Sequence, residues 1–332
     1  MIMDEMKIGI DSYGLHPLDL KPMEILKWAV DHKAEGVQFS GLESHHREKA
    51  DKAYLKDMAQ FAEEKGLYLE WGGGQHIPFD LSTWKRVDLM EINRKAAEEA
   101  NLVGSRVIRS CSGGQMRWNP ASPMTETLLQ EAAASLLSQK QMLIDHNVVL
   151  ALETHFEFTT WELLRLFERC ETEPGEYLGV CLDTMNLLTM LEDPIMAAER
   201  ILPWVVSTHI KDGAIIFLED GMMTFPVELG KGVVDIKKIA GLLQLLPWTI
   251  NLSIEDHGGN FSLPVYDPLF VSKFPDLSVQ EFASLLKLAS RSVSALQQGN
   301  INMVSRDKWP EICEERFIED LTNLKSILRK GT

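Results

Sequence analysis

Short apolar runs alternate with longer amphipathic stretches along most of the chain. Each run has four to six residues and is rich in Val, Ile or Leu, which is typical of strands covered on both faces. The predicted strands are Lys7–Asp11, Gly36–Phe39, Leu67–Trp71, Arg106–Arg109, Val148–Glu153, Leu178–Asp183, Val205–His209 and Asn251–Glu255. Since the stretches between them carry helical periodicity, parallel βα units are expected.

Helical periodicity is clearest in two of these intervening stretches. Met23–Lys33 places its apolar residues on one face, and Thr125–Asp145 repeats Leu128, Ala132 and Leu136 at the same period. Eight strands separated by helices predict an α/β fold of the closed (β/α)8 type, a TIM barrel. A doubly wound sheet would carry a glycine-rich phosphate turn after its first strand, and no GxGxxG follows Asp11.

The chain continues beyond the eighth predicted strand. Residues 1–259 are predicted to form the catalytic barrel, and residues 260–332 a C-terminal loop and helical extension packed on it. The loop, Asn260–Asp276, holds three prolines and four aromatic residues, and helices are predicted over Val279–Leu296 and Trp309–Leu328. A loop of this length is expected to pack over another part of the protein or over a second subunit. It is a lid or subunit contact, or else a strap that closes the side of the barrel.

Composition narrows the class of protein. The 332 residues are 45% apolar and 25% charged, as in globular proteins. No secretory signal and no apolar span of membrane length is recognisable, so we expect a cytoplasmic protein without a membrane partner. The net charge of −16 argues against a nucleic-acid partner. The four cysteines form no CxxC pair. This argues against a zinc ribbon and favours reduced, buried thiols.

Candidate chemistry lies at the ends of the last four predicted strands. These end in Glu153, Asp183, His209 and Glu255, each directly after apolar residues. Three carboxylates and one imidazole at one rim of a barrel would repel and desolvate each other without a cation. A single acid at a strand end is explained as a helix cap, but four together are not. We predict one divalent metal ion, Mn²⁺ first, with Mg²⁺, Co²⁺ and Zn²⁺ as alternatives.

The pattern resembles the sugar isomerase/epimerase family of xylose isomerase-like TIM barrels, whose relatives include endonuclease IV. In that family a Glu, an Asp, a His and a second Glu at the ends of strands five to eight bind one metal. The matching positions here are Glu153, Asp183, His209 and Glu255. The HIKD segment that begins at His209 and the LDT segment around Asp183 add to the resemblance, which covers about Lys7 to His257.

The resemblance implies metal-assisted proton transfer. In the family the metal holds two adjacent oxygens of a sugar and stabilises an enediolate, while a carboxylate or histidine moves the proton. In epimerases this work would fall to Glu153 and Glu255, on opposite faces of the substrate. Two departures stand out: Asn186 stands where epimerases typically have a histidine, and the run His155–Phe158 lacks the arginine that they tend to carry shortly after the strand-five Glu. His155 is therefore either a general base beside the substrate or a supporting, helix-capping imidazole.

The Glu-Thr-His arrangement at Glu153–His155 also fits a lyase-like branch of the same superfamily. That branch includes decarboxylases of 3-oxo sugar acids and the catalytic subunits of C-glycoside deglycosidases. There, a cation such as Arg109 or Lys211 would position a carboxylate leaving group. The sequence thus predicts a metal-dependent sugar isomerase or epimerase first and such a lyase second. An endonuclease IV-like repair enzyme and a non-catalytic binding barrel are further alternatives.

The predicted site combines these residues with neighbouring strand ends. The predicted catalytic residues are Glu153, His155, Glu255 and Lys211. The predicted substrate contacts are Glu70, Trp71, His76, Arg109, Asn186, Asp212 and His257. Trp71 would stack on a sugar ring. The expected partner is a small, unphosphorylated sugar, and a homo-oligomer or a small accessory subunit is left open.

Overall fold

The computed structural model of the protein describes residues 6–40, 42 and 44–329, so the outer ends of both predicted regions, residues 1–5 and 330–332, lie outside it. Eight parallel strands close a barrel: β1 Ile8–Asp11, β2 Gly36–Phe39, β3 Tyr68–Gly74, β4 Val107–Ser110, β5 Val149–Glu153, β6 Leu178–Asp183, β7 Val205–Ile210 and β10 Leu252–Ile254. The barrel closes by pairing of β10 with β1. The predicted TIM barrel is confirmed, with β2 and β6 as predicted and the ends of the other strands shifted by at most three residues.

Helices surround the barrel. They are α1 Pro22–Asp31, α2 Ser44–Arg47, α3 Lys52–Lys65, α4 Met90–Leu102, α5 Thr125–Asp145, α6 Thr160–Arg169, α7 Asn186–Thr189, α8 Pro194–Ile201, α9 Ile236–Leu243, α10 Pro268–Val271, α11 Val279–Gln297 and α12 Trp309–Arg329, with 3-10 turns at Ser12–Leu18 and Leu202–Trp204. Local sequence sets their ends. For example, Thr159 accepts a hydrogen bond from the Glu162 amide and the Glu162 side chain reaches back, a capping box that starts α6.

A three-stranded antiparallel sheet that was not predicted projects from the barrel after β7. Strands β8 Asp212–Leu218 and β9 Gly221–Val227 form a hairpin, and β11 Phe261–Leu263 pairs with β9. The signal was present in the sequence, because Asp220-Gly221 between two apolar runs is a typical hairpin turn. The sheet packs against α11, where Ser292 accepts a hydrogen bond from the Ile215 amide at 3.1 Å.

The C-terminal region completes the barrel as well as extending it. Helix α12 packs against β1 and β10 and so occupies the place of the helix that follows the eighth barrel strand. Its Trp309 donates a hydrogen bond from Nε1 to the Gly14 carbonyl at 2.8 Å. The sequence pattern predicts this helix as part of an extension packed on the barrel, and in the structure it makes the contacts of a barrel helix.

The aromatic loop after the eighth barrel strand packs against the barrel mouth. Phe261 contacts Phe156 with ring centroids 4.5 Å apart, and Trp118 donates to the Ser262 carbonyl at 2.8 Å. The loop therefore packs on the segments that follow β4 and β5, while its roles as a lid, a subunit contact or a strap that closes the side of the barrel stay predictions. Within the residues that the structure describes, no helix has the length and apolar character needed to cross a membrane.

Candidate active site

The mouth of the barrel gathers the four predicted metal ligands. Glu153 and Asp183 end β5 and β6, His209 is the penultimate residue of β7, and Glu255 follows β10. Their ligand atoms lie within 4.8 Å of one another, and all four side chains are buried. Register explains the cluster, because Asp183 is paired with His209 across the β6–β7 ladder. Adjacent strand ends thus bring one acid and one imidazole side by side.

The orientation of His209 is fixed from the opposite side of the barrel. Gln38 on β2 donates from Nε2 to Glu70 Oε2 at 2.7 Å and also to Ser207, which leaves its Oε1 to accept from His209 Nε2. Nδ1 of His209 is then the nitrogen with the free lone pair. It lies 3.5 Å from Glu153 Oε1 and 3.7 Å from Glu255 Oε2, is buried, and makes no hydrogen bond with any described residue.

Two basic side chains partly neutralise the carboxylates. Lys211 donates to Asp183 Oδ2 at 3.0 Å and forms an ion pair with Glu255 Oε2, and Arg109 pairs with Glu153 Oε2. The third proton of the ammonium faces Nε2 of His257 at 3.3 Å. Burial opposes the charge of Lys211, but Asp183 and Glu255 outweigh it and raise its pKa. Lys211 therefore stays charged inside the barrel.

The pKa values of the clustered side chains indicate that the cluster carries an excess of negative charge. Burial, Glu255 and Glu153 raise the pKa of Asp183 to about 6 although Lys211 lowers it. Burial has the opposite effect on His209, since it disfavours the charged imidazolium, yet the anionic neighbours, Glu255 and Glu153 among them, outweigh burial and raise the pKa of His209. Both groups thus take up protons to offset excess negative charge. A cation bound between them would replace those protons.

The donor set fits a divalent metal ion. Three carboxylates and one neutral imidazole offer hard oxygen and borderline nitrogen ligands, as Mn²⁺, Mg²⁺ and Zn²⁺ require. The unpartnered Nδ1 of His209 faces the carboxylates, and its Nε2 is held by Gln38, the supporting contact typical of a metal-bound histidine. Asp183 Oδ1 accepts from the Asn186 amide at 2.8 Å, which leaves Oδ2 directed to the cluster.

His155 lies beside the cluster and has its own carboxylate partner. A ring nitrogen lies within 4.8 Å of a Glu153 oxygen and of the Cys111 sulfur. Its Nδ1 lies 2.9 Å from Glu157 Oε2, while Glu157 Oε1 accepts from the Ser112 amide at 3.0 Å. Burial opposes the charge of His155, but Cys111 and Glu157 outweigh it and raise its pKa. The arrangement is that of a proton-carrying imidazole oriented by a buried acid.

Three predicted substrate contacts face the mouth of the barrel. Asn186 donates from Nδ2 to Glu153 Oε1 at 3.4 Å. His257 donates from Nδ1 to the Gly258 carbonyl at 3.0 Å, and burial and Lys211 lower its pKa to about 4, so it is neutral at pH 7. Arg109 reaches the Ser40 carbonyl as well as Glu153. Their contact with a substrate stays a prediction.

Four other predicted contacts lie elsewhere. Trp71 donates to Glu99 on α4 at 3.2 Å, so it lies on the helix side of β3, and we do not retain it as a sugar-stacking residue. Glu70 points into the barrel interior and accepts from Gln38, Ser207 and Asn251. Asp212 accepts the amides of Gly230, Gly232 and Val234 and thereby holds the loop after β9. His76 is buried against Ser110, 2.8 Å away.

Sequence reasoning missed three residues that support the site. Gln38 is a polar residue inside an apolar strand, which was a usable signal for a buried contact. Glu157 lies two residues after His155 in the bends that follow β5, so its closeness in the sequence was the only signal for their contact. Asp11 ends β1 and lies 3.6 Å from His209 Nε2, in the position where a barrel strand delivers functional side chains.

Comparison with known proteins identifies the family. The chain belongs to the xylose isomerase-like TIM-barrel family, whose sequence model matches residues 26–265. None of the curated proteins compared with the chain matches it.

Solved structures show the same fold at low sequence identity. An L-ribulose 3-epimerase is 18% identical, with 94% of this chain and 98% of that chain covered and a TM-score of 0.57. The probable 3-DHS dehydratase AsbF from Bacillus anthracis is 17% identical over 81% of this chain and 97% of its own, with a TM-score of 0.58. The IOLI protein, with a bound zinc atom, is 13% identical over 86% and 99%, with a TM-score of 0.58.

Proposed function

We propose that this protein is a divalent-metal-dependent enzyme that transfers a proton next to the carbonyl of a sugar or oxidised sugar, as isomerases and epimerases do. The observation that carries the proposal is the unpartnered Nδ1 of His209, which faces Glu153 and Glu255 inside a buried cluster of acids. Membership of the xylose isomerase-like family and the likeness to an L-ribulose 3-epimerase support it.

The metal site would be formed by the four clustered side chains. Glu153, Asp183, His209 and Glu255 would hold the cation. When bound, it polarises a substrate carbonyl and makes the neighbouring C–H more acidic. Three oxygen ligands to one nitrogen favour Mn²⁺ or Mg²⁺, although the IOLI protein binds zinc. We propose Mn²⁺ as the first ion to test.

The proton would be carried by this chain's own residues. His155 is the proposed proton carrier, because Glu157 accepts the proton of Nδ1 and leaves Nε2 as the nitrogen that gives a proton to the substrate or takes one from it. Glu157 also stabilises the imidazolium that forms. Glu255 is the proposed partner on the other side, and Lys211, which forms an ion pair with it, holds its carboxylate charged.

A second candidate function is a lyase reaction on a 3-oxo sugar derivative. The favouring observation is the pair of buried cations, Arg109 and Lys211, beside the acidic cluster. Either would bind a carboxylate on the substrate, and Asn186 stands where epimerases have a histidine. The likeness to a probable 3-DHS dehydratase supports this candidate.

The two candidates are separated by their products. The Mn²⁺-loaded protein is incubated with simple ketoses in D₂O and followed by NMR for exchange of carbon-bound protons, and in parallel with 3-oxo sugar acids and followed for CO₂ release. Exchange without bond cleavage supports the isomerase, and cleavage supports the lyase. No reaction with either class, or turnover that survives complete chelation, would overturn the proposal.

The role of His155 is tested in the same assays. His155→Gln is expected to abolish turnover and retain the metal, because the ring carries the proton but is not among the four ligands. His146→Gln is the matched control, since this half-exposed histidine lies at the end of α5 and bonds only to the Met142 carbonyl in the described structure. Equal turnover in both variants would remove His155 from the mechanism.

A further inference from the structure

A second group of metal-ligating side chains lies on the loops that follow β1 and β2. Asp19 is the cap that ends the 3-10 turn at Ser12–Leu18, and His45 and His46 lie in α2. The ligand atoms of these three residues lie within 4.8 Å of one another. Oδ1 of Asp19 is 2.8 Å from Nε2 of His45 and 3.2 Å from Nε2 of His46. None of the three belongs to the acidic cluster described above.

The two imidazoles have different environments. His45 is half exposed and forms an ordinary hydrogen bond with Asp19. The side chain of His46 is only 10% exposed, and its Nε2 is buried without a hydrogen-bond partner in the described structure. It faces the Asp19 carboxylate at short range but without the alignment of a hydrogen bond. A buried polar atom left in this way costs free energy and requires an explanation.

We propose that Asp19, His45 and His46 bind a divalent cation of the zinc class, at a site separate from the barrel mouth. Two imidazoles and one carboxylate are a ligand set that Zn²⁺ prefers, and bonds of about 2.0–2.1 Å place tetrahedral ligand atoms about 3.3 Å apart. The observed separations of 2.8 Å and 3.2 Å need only small side-chain adjustments. The cation would satisfy Nε2 of His46.

The exposure of the group leaves room for the remaining coordination position. The side chains of Asp19 and His45 are 69% and 52% exposed, so solvent has access to one side. On the other side, His46 lines a small cavity together with Ser12 and Leu15. A water ligand on the exposed side would complete four-coordination.

The competing explanation is a surface latch. In that case the hydrogen bond between Asp19 and His45 alone joins the two loops, and an exposed pair of this kind contributes little to stability. The latch accounts for His45 but gives Nε2 of His46 no partner. A bound cation accounts for both, and it would tie the loop after β1 to the loop after β2 beside the barrel mouth. This inference does not depend on the proposed reaction.

The test measures zinc stoichiometry in the full chain, freed of any histidine tag. Metal-free protein is equilibrated with Zn²⁺, separated from free ion and analysed by elemental mass spectrometry. The His45→Ala/His46→Ala double variant is expected to bind about one ion per chain fewer than the wild type, whatever the barrel mouth holds. His146→Ala, which removes a half-exposed histidine from the end of α5, is expected to lose none.

A second variant guards against misfolding of the first. Asp19 has φ 48°, a left-handed conformation that asparagine also adopts, and Asn retains an acceptor for His45. Asp19→Asn therefore preserves the latch and removes the charged ligand. It is expected to keep the thermal stability of the metal-free wild type and to show a smaller Zn²⁺-induced rise in Tm than the wild type. Wild-type stoichiometry in both cluster variants would overturn the proposal.

Discussion

Gln38 on β2 accepts a hydrogen bond from Nε2 of His209 on β7, across the interior of the barrel. The contact decides which nitrogen of the imidazole faces the carboxylates. It also depends on Glu70, because the amide of Gln38 donates to that acid and so directs its oxygen to the histidine. This relay of hydrogen bonds from Glu70 through Gln38 thus determines which nitrogen of His209 keeps a free lone pair. None of the three residues has to contact the substrate for this.

Replacement of Gln38 tests this relay. Gln38→Met keeps the volume but removes the acceptor, so His209 loses its fixed orientation. Loss of such a supporting contact typically lowers metal affinity about 10- to 100-fold. The measurement is a Mn²⁺ titration followed by electron paramagnetic resonance. Gln139→Met is the control, since Gln139 is a buried glutamine that bonds to Asn93, far from the site. Equal affinities in the two variants would contradict the relay.

The pH dependence of metal binding follows from the protonation of the cluster. The cation requires Asp183 and His209 without protons, and the pKa of Asp183 is raised to about 6 while that of His209 is also raised. Acidification therefore adds protons that compete with the metal. Affinity is expected to fall as pH decreases from about 8 to 5.5, by up to about tenfold per pH unit for each proton displaced.

Calorimetric titrations with Mn²⁺ in buffers of different ionisation enthalpy measure both quantities. They give the affinity at each pH and the number of protons released on binding. If His209 has lost its proton by pH 8.5, metal binding is expected to release more protons near neutral pH than at pH 8.5. Binding that neither releases protons nor changes over this pH range would contradict the raised pKa values of Asp183 and His209.

The barrel was predictable because its signals are local. An apolar run that ends in an acid or a histidine marks a buried strand and its C-terminal end, and this placed Glu153, Asp183 and His209 correctly. The same alternation could have assigned Trp71: if Glu70 faces the interior, the next residue faces the helices. That error came from reading residues at a strand end without their faces.

Other features depend on contacts between distant segments. Nothing near Trp309 indicates that α12 packs on β1 and on the 3-10 turn that follows it, since the hydrogen bond from Trp309 to Gly14 joins residues almost a chain length apart. The meeting of Cys111 with His155 likewise requires the β4 and β5 ends to be neighbours. Asp19 and the histidine pair of α2 come together only through the conformation of two loops. Sequence patterns carry no information on such distances.

Replacement of Lys211 tests whether the carboxylates of the site bind a metal ion or are neutralised by the Lys211 ammonium group alone. Lys211→Met removes a charge that competes with a cation for Asp183 Oδ2 and Glu255 Oε2. Metal affinity is therefore expected to stay equal or rise, while turnover falls because the fixed charge beside the substrate is lost. Lys231→Met, at an exposed lysine that pairs with Glu228 and Glu319, is the control. A strong loss of metal affinity in Lys211→Met would argue that the lysine orders the ligands.

Arg316 connects α12 to the metal site through the residue next to Glu255. Its Nη1 donates to Asp256 Oδ2 at 2.6 Å, and both side chains are buried. Arg316→Met leaves Asp256 without its partner, and an uncompensated buried charge costs about 3–5 kcal/mol. Unfolding in urea is expected to show this loss at pH 7 and a smaller one at acidic pH, where Asp256, whose pKa is raised by burial, takes up a proton.

The control for this change is Arg291→Met, at an exposed arginine on α11. It is expected to leave the free energy of unfolding within about 0.5 kcal/mol of the wild type. If Arg316→Met lowers stability only as much as Arg291→Met does, α12 is an appended helix. If it lowers stability strongly and also weakens metal binding, the helix does more than complete the barrel. It holds the segment that carries Glu255, and the C-terminal region is then part of the active-site framework.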